Sequence, residues 1–343
     1  MQIKLHIGHF KTGTTSFQSL LSSQRKRLRN AGVLYPIGRK PFLHQQGMEL
    51  SPFARDDPDQ NIKIFMEQWL KEKPRTLILS AEALSNPRTG GGKAIVESMK
   101  QFGEVEVIYM VRHWSSYLPS RFKQNTKAGD KWSWEEFVRG CNATAIDNKD
   151  INFAAVICEY LEGDPGGFTL LGYNAETAIE DLLLTCGLDP SLKSLPRDES
   201  AFFGENLPES EVFIEANRLL NLTAEPKGPS SLRFDTLRNN TRLPRRLGLK
   251  KVAKNYLKNP GNQRLISNLI VDYPSETPML EFNNMIKTLT ERLHTACRNS
   301  GLDYPFLDSQ HYKTVPASLG SNVRFDNLPQ DVAHSIEAAL SLR

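Results

Sequence analysis

Gly8 and Gly13 frame a loop that carries Lys11 and Thr12, and Thr14, Thr15 and Ser16 follow at once. Residues of these types at this spacing suit a phosphate. A glycine-bounded turn aims backbone N–H groups at one point, and a helix that begins there adds roughly half a unit of positive charge. The magnesium-dependent nucleotide pattern GxxxxGK[ST] has the same two glycines, but it places a lysine after the second to reach the β- and γ-phosphates and a hydroxyl on the metal. Here Thr14 stands where that lysine belongs, and the cation has moved to Lys11. The expected chemistry is one terminal phosphate cradled by the loop backbone and hydroxyls. Lys11 would lie over whatever bridges that phosphate to the transferred group, and a magnesium triphosphate site is disfavoured.

A second anion site is expected about one hundred residues on. The run Val105 to Val111 reads as a strand bounded by Gly103 and ending in Arg112, and a helical pattern follows from Ser115 to Gln124. A magnesium NTPase carries an aspartate at the end of such a strand, whereas arginine binds anions. Ser120 follows Pro119, a residue tolerated in a first helical turn because N–H groups there lack intrahelical partners. Arg112 and Ser120 are therefore expected to converge on a second phosphate.

The elements that must position these groups follow from hydropathy and turn chemistry. Ile3 to Ile7 alternate as a strand, and the segment after the loop has helical spacing at Phe17, Leu20 and Leu21. His6 reads as a satisfied core histidine and His9, at the loop tip, as a solvated one. A loop-rich stretch from Tyr35 to Asp59 precedes a helix near Ile62 to Lys71, and Leu77 to Ala81 reads as a buried parallel strand that delivers Glu82 at its C-terminal end. Gly90 to Gly92 precede a helix from Lys93 to Gln101. Ser133 and Glu136 form a capping box ahead of a helix, and a helix from Asn152 to Leu161, a strand at Phe168 and a helix from Ala178 to Cys186 follow. Together these predict an α/β, three-layer, P-loop-type fold with a central parallel sheet of about four or five strands and helices on both faces. One domain is expected over 1–343, with an α/β core in 1–190 and a mainly helical, partly basic elaboration in 191–343.

A ligand with a 5′-side phosphate and another phosphate elsewhere, bound without magnesium, suggests 3′-phosphoadenosine 5′-phosphosulfate (PAPS). The sequence resembles the PAPS-dependent sulfotransferases. His6-Ile-Gly8 and Lys11-Thr-Gly-Thr-Thr15 look like that family's 5′-phosphosulfate loop, and Arg112 with Ser120, eight apart at a strand-to-helix junction, looks like its 3′-phosphate motif. The resemblance assigns Lys11, Gly13, Thr14 and Thr15 to the 5′ side and Arg112 and Ser120 to the 3′ side, and Thr12 and Ser16 of the same loop are taken as further cofactor-binding residues. Punctuation similar to the bacterial and glycan-modifying branches continues to about Leu188. The KxGxxGxWK segment of the cytosolic small-molecule branch is missing, which leaves the adenine contacts unassigned.

Sulfuryl transfer needs an acceptor hydroxyl in line with sulfur, a base for its proton, and positive charge where the leaving phosphate gains negative charge. Lys11 is the candidate for the leaving group and Glu82 for the base. The Glu82 segment looks like the strand that bears the catalytic glutamate of glycan sulfotransferases, although Ala83-Leu-Ser lacks the lysine of their version. His44, in Pro41-Phe-Leu-His44-Gln45-Gln46, is the competing base or an acceptor-binding residue, because histidine titrates near neutrality. The expected acceptor is a hydroxyl on a carbohydrate. Two rivals stay open: a P-loop small-molecule kinase, and a non-catalytic protein that holds a nucleotide or a sulfated glycan.

The composition suits such an enzyme. The chain has 343 residues, 39% hydrophobic and 24% charged, with a net charge of +4, enough to bury a full core. It shows no apolar run of bilayer length and no charged-then-apolar leader, so no integral membrane segment and a cytoplasmic location are expected. Cys141, Cys158, Cys186 and Cys297 match no metal signature and read as buried structural thiols of a reducing compartment. No metal is expected. Asn142, Asn221 and Asn239 open N-x-[ST] triplets that nothing sends to a secretory lumen. Between Glu225 and Pro260 ten Lys and Arg residues face two acidic ones, which leaves the rest of the chain net acidic. That stretch is read either as a cover for the PAPS phosphates or guide for an anionic acceptor, or as a solvated basic face. Nucleic acid is a poorer fit, because reader motifs are absent. The acceptor's identity and the oligomeric state are not legible.

Overall fold

Five strands, all parallel, form one sheet in the order β2-β3-β1-β4-β5: β1 Gln2–His6, β2 Val33–Leu34, β3 Thr76–Ser80, β4 Glu104–Val111 and β5 Gly167–Gly172. The computed structural model describes residues 1–36, 58–86, 91–127, 129–130, 132–194, 213–216, 218–219, 252–253, 255–271, 276–306, 330–332 and 334–335. Among the described residues the principal helices are α1 Thr14–Ser23, α2 Arg25–Asn30, α3 Pro58–Trp69, α4 Gly91–Lys100, α5 Trp114–Lys127, α6 Trp134–Ala143, α7 Phe153–Leu161, α8 Ala178–Thr185, α9 Pro260–Val271 and α10 Glu276–Ser300. The expected α/β class and parallel sheet are therefore present. The expectation of four or five strands resolves to five.

The sheet is buried on both faces, as near-continuous apolar strands require. On one face Ile78, Ile108 and Met110 pack with Phe17, Leu20 and Leu21 of α1 and with Leu182 and Leu183 of α8. Alternation sends Val107 and Tyr109 to the opposite face, where Tyr109 lies edge-on to Phe153 of α7, with ring centroids 6.4 Å apart. The α7 start carries its own signal: the Asn152 side chain accepts from the Ala155 N–H and caps the helix.

Register decides where the chemistry can sit. His6 at the end of β1 is level with Ser80 of β3 and with Ile108 of β4. The segments leaving these strands, which carry the Gly8–Gly13 loop, Glu82 and Arg112, therefore emerge from one end of the sheet, the C-terminal end where open α/β sheets place their ligands.

The chain divides into two compact units. The first comprises Met1–Tyr117, Thr144–Glu205 and Ile286–Lys313 and holds the whole sheet. The second comprises Leu118–Ala143, Asn206–Met285 and Thr314–Arg343. In it the Ser133–Glu136 capping box forms as expected: the Ser133 N–H donates to Glu136 Oε2 (2.9 Å) and the Glu136 N–H donates to Ser133 Oγ (3.2 Å). Trp134 is buried there and stacks on Phe137, beside Phe282. Core packing is the use this ring finds.

Candidate functional site

The Gly8–Gly13 loop grows out of β1 while still attached to β4. Ile7 N–H donates to the Ile108 carbonyl (2.9 Å) and His9 N–H to that of Met110 (3.4 Å). The backbone then turns sharply: Lys11 has φ 65° and Gly13 φ 76°. Glycine accepts that region freely, whereas for lysine it is uncommon and costs about 1–3 kcal/mol, so the surroundings must enforce it. They do so from inside and outside. Thr12 Oγ1 donates to the His9 carbonyl at 2.5 Å, and an Arg112 Nη donates to the Lys11 carbonyl at 3.3 Å.

Gly13 caps α1, and the bond from Phe17 N–H to its carbonyl (3.0 Å) is the first of the helix. The N–H groups of Thr14, Thr15 and Ser16 therefore precede any intrahelical partner, and the cap has no side chain to offer them. The first turn carries no acidic residue. This end of α1 thus presents donors and a positive dipole to an anion. Thr15 is half-buried and Ser16 exposed, while Thr12 and Thr14 are buried. The Thr14 hydroxyl lies 3.4 Å from the His9 carbonyl and 3.3 Å from Thr12 Oγ1, two long contacts that hold it weakly.

Gly8 allows the loop to close. A Cβ at this position would come within 2.5 Å of Thr14 Oγ1 and 2.8–2.9 Å of the His6 ring. His6 is fully buried and burial holds its pKa down to about 3, so the imidazole is neutral. Its Nδ1 bonds Ser80 Oγ (2.8 Å), but its buried Nε2 has no partner. The expectation of a satisfied core histidine therefore holds for one nitrogen and fails for the other.

His9 corrects the sequence reading outright. It is not solvated but fully buried, packed edge-on to Tyr117 (4.4 Å between ring centroids) and Phe153 (4.9 Å), with Nε2 against the Asp150 carbonyl (2.8 Å). The reason is the continued pairing with β4, which keeps residue 9 at sheet depth instead of at a loop tip.

Arg112 follows directly on β4. Its Nε donates to Ser116 Oγ (3.0 Å), and its guanidinium lies over the Tyr173 ring, 5.2 Å from the centroid. Partial burial lowers its pKa from the usual value. Tyr173 was not among the expected site residues. Its N–H donates to the Val111 carbonyl (2.7 Å), and its ring lies 3.6 Å from where a Gly13 Cβ would be. Strand pairing carries the residue after β5 to the side of the residue after β4, and no local sequence signal announces it.

Glu82 opens a short 3₁₀ turn, Glu82–Ser85, two residues past β3, and is half-buried. Ala81 N–H donates to the His6 carbonyl (3.1 Å), so the chain bearing Glu82 is tied to the strand that feeds the loop. His44 and most of the basic 225–260 stretch lie outside the described residues. Ser120 is half-buried in α5, four residues beyond Ser116, and belongs to the second unit. The expected place of Pro119 is corrected. Because α5 begins at Trp114, Pro119 lies inside the helix, where it has no N–H for the Ser115 carbonyl. The thiols also need one correction, since Cys141, Cys186 and Cys297 are buried but Cys158 is exposed.

Among the described residues no group of three or more His, Cys, Asp or Glu side chains stands together, and no helix is long and apolar enough to cross a membrane. No family model, curated protein or solved structure matches the chain.

Proposed function

We propose that the protein is a sulfotransferase that moves a sulfuryl group from PAPS to an acceptor hydroxyl, on a carbohydrate by the resemblance of its motifs. The observation that carries this reading is the bond from Arg112 to the carbonyl of Lys11. Two cationic groups, from segments one hundred residues apart in sequence, border one loop whose helix start lacks both an acidic residue and the lysine of a magnesium nucleotide site.

In this reading the 5′-phosphosulfate lies against the N–H groups of Thr14, Thr15 and Ser16, with Thr12 shaping the turn beneath it. Arg112 takes the 3′-phosphate, and the resemblance gives Ser120 the same role. Transfer forms a bond from the acceptor oxygen to sulfur and breaks the bond from sulfur to the bridging oxygen, releasing adenosine 3′,5′-bisphosphate. Lys11 offsets the charge that grows on that oxygen, and Glu82 receives the acceptor's proton, with His44 as the other candidate for this role. Site and co-substrate act without a metal, and the P-loop type of the fold and a cytoplasmic location belong to the same proposal.

Thermal unfolding with adenosine 3′,5′-bisphosphate, ATP and GTP, each with and without magnesium, tests it, because a ligand that binds only the folded state raises Tm. The expected result is a rise with the bisphosphate that magnesium does not change, followed by transfer of labelled sulfate from PAPS to a glycan panel. A rise only with a magnesium nucleotide would instead indicate a kinase.

A further inference from the structure

The imidazole of His6 is buried beneath the loop with one nitrogen engaged and the other without a partner. Gln18 of α1 donates from Nε2 to the Ser80 carbonyl (3.0 Å) and to Ser80 Oγ (3.2 Å), and Ser80 Oγ in turn lies 2.8 Å from His6 Nδ1. All three side chains are buried. When the Ser80 hydroxyl donates to His6 Nδ1, the ring hydrogen is on Nε2, and this tautomer is part of the proposal below. In that tautomer Nε2–H is a buried donor without an acceptor, an unfavourable state unless something answers it.

What it faces is the loop. His6 Nε2 and Thr14 Oγ1 lie against the same point, 2.9 and 2.5 Å from where a Gly8 Cβ would be, and only glycine leaves that space open. The Thr14 hydroxyl is the weakly held member of the loop, since Thr12 already bonds the His9 carbonyl at 2.5 Å. A hydroxyl that gives its proton to an anion still has lone pairs to accept a hydrogen bond.

We propose that His6 is a positioning residue for the anion loop: its Nε2–H donates to the Thr14 hydroxyl when an anion occupies the loop, which turns the Thr14 proton toward that anion. The inference rests on the reading of this loop as an anion site. It makes the Gln18–Ser80–His6 chain a buried brace that runs from α1 through β3 to the floor of the site. Because Ser80 lies two residues before Glu82, the same brace fixes the strand end that carries the candidate base.

The test uses the unaltered chain, labelled with 15N at histidine and at backbone amides and titrated with adenosine 3′,5′-bisphosphate. The His6 ring is assigned through its contact with Phe17, whose ring stands edge-on at 5.4 Å. The expected result is a neutral ring with its hydrogen on Nε2 in the free protein, and a downfield move of that proton as the amides of Gly13 to Ser16 respond. A ring hydrogen on Nδ1, or loop amides that move while the His6 Nε2–H does not, would overturn the inference and leave the anion site standing. Loop amides that do not move at all would overturn both. As a second readout, His6→Gln, which keeps an N–H donor, should retain affinity for the bisphosphate better than His6→Phe. Equal affinities in the two variants would count against the brace.

Discussion

An Arg112 Nη donates to the backbone carbonyl of Lys11 across 3.3 Å, while Nε of the same guanidinium is held by Ser116. One arginine thus closes the loop from outside and keeps a partly buried positive charge beside it. The contact also supports a left-handed backbone at Lys11 that lysine does not adopt without enforcement.

Arg112→Ala removes a charge-assisted donor from both the loop and the proposed 3′-phosphate. Such bonds contribute about 1.5–3 kcal/mol, so affinity for adenosine 3′,5′-bisphosphate should fall about 10- to 100-fold by calorimetric titration. Arg112→Lys should recover only part of it, because lysine has no planar fork to bond Ser116 and Lys11 together.

Gly8→Ala puts a methyl group within 2.5 Å of Thr14 Oγ1 and 2.8 Å of His6 Cε1. Overpacking against these two buried side chains costs about 1–3 kcal/mol. The variant should unfold at lower denaturant concentration with an unchanged m-value, and it should bind the bisphosphate more weakly. Unchanged stability would show that the loop is looser than its contacts imply.

Glu82→Gln keeps the shape of the side chain and removes its basicity. Sulfuryl transfer should drop by about 10²–10⁴ while bisphosphate affinity stays near that of the parent. Full turnover in this variant would move the base elsewhere, with His44 the next residue to replace.

The pH dependence of stability follows from the fully buried His6 and the half-buried His113. Burial lowers the pKa of His6 from 6.5 to about 3 and that of His113 from 6.5 to about 4. Between these values and 6.5 the unfolded chain binds protons that the folded chain refuses, so stability is complete above pH 6.5 and declines as pH falls toward 3. Each fully released proton contributes a slope of about 1.4 kcal/mol per pH unit. Denaturant titrations at pH 7.0 and 4.5 should show the loss, and His6→Gln should flatten it.

Much of the frame was legible in the sequence because it depends on local rules. Alternation marked β1, a glycine pair marked the turn into α1, Asn152 and Ser133 announced helix starts, and apolar runs marked strands buried on both faces. What escaped depends on partners far along the chain. Nothing local shows that β4 holds the backbone of residue 9 by the Met110 carbonyl, so His9 read as loop and is core. The start of α5 is legible to within one residue, but Pro119 reads as a first-turn residue and lies inside the helix; at the true start the Trp114 indole stacks on Phe153 (4.8 Å) and donates to the Ile151 carbonyl (2.7 Å). Tyr173 comes to Arg112 only through the pairing of β4 with β5. The unanswered Nε2 of His6 becomes visible only once Gly8, Thr14 and Ser80 surround it.

Calorimetric titration of the intact chain in chelator, with adenosine 3′,5′-bisphosphate beside adenosine 5′-monophosphate, tests the central claim most directly. The account predicts that the 3′-phosphate tightens binding by at least about tenfold, the worth of one charge-assisted contact, and that Arg112→Ala erases this difference while also weakening the monophosphate through the loosened loop. Equal affinities for the two nucleotides, or binding that appears only when magnesium is restored, would contradict it.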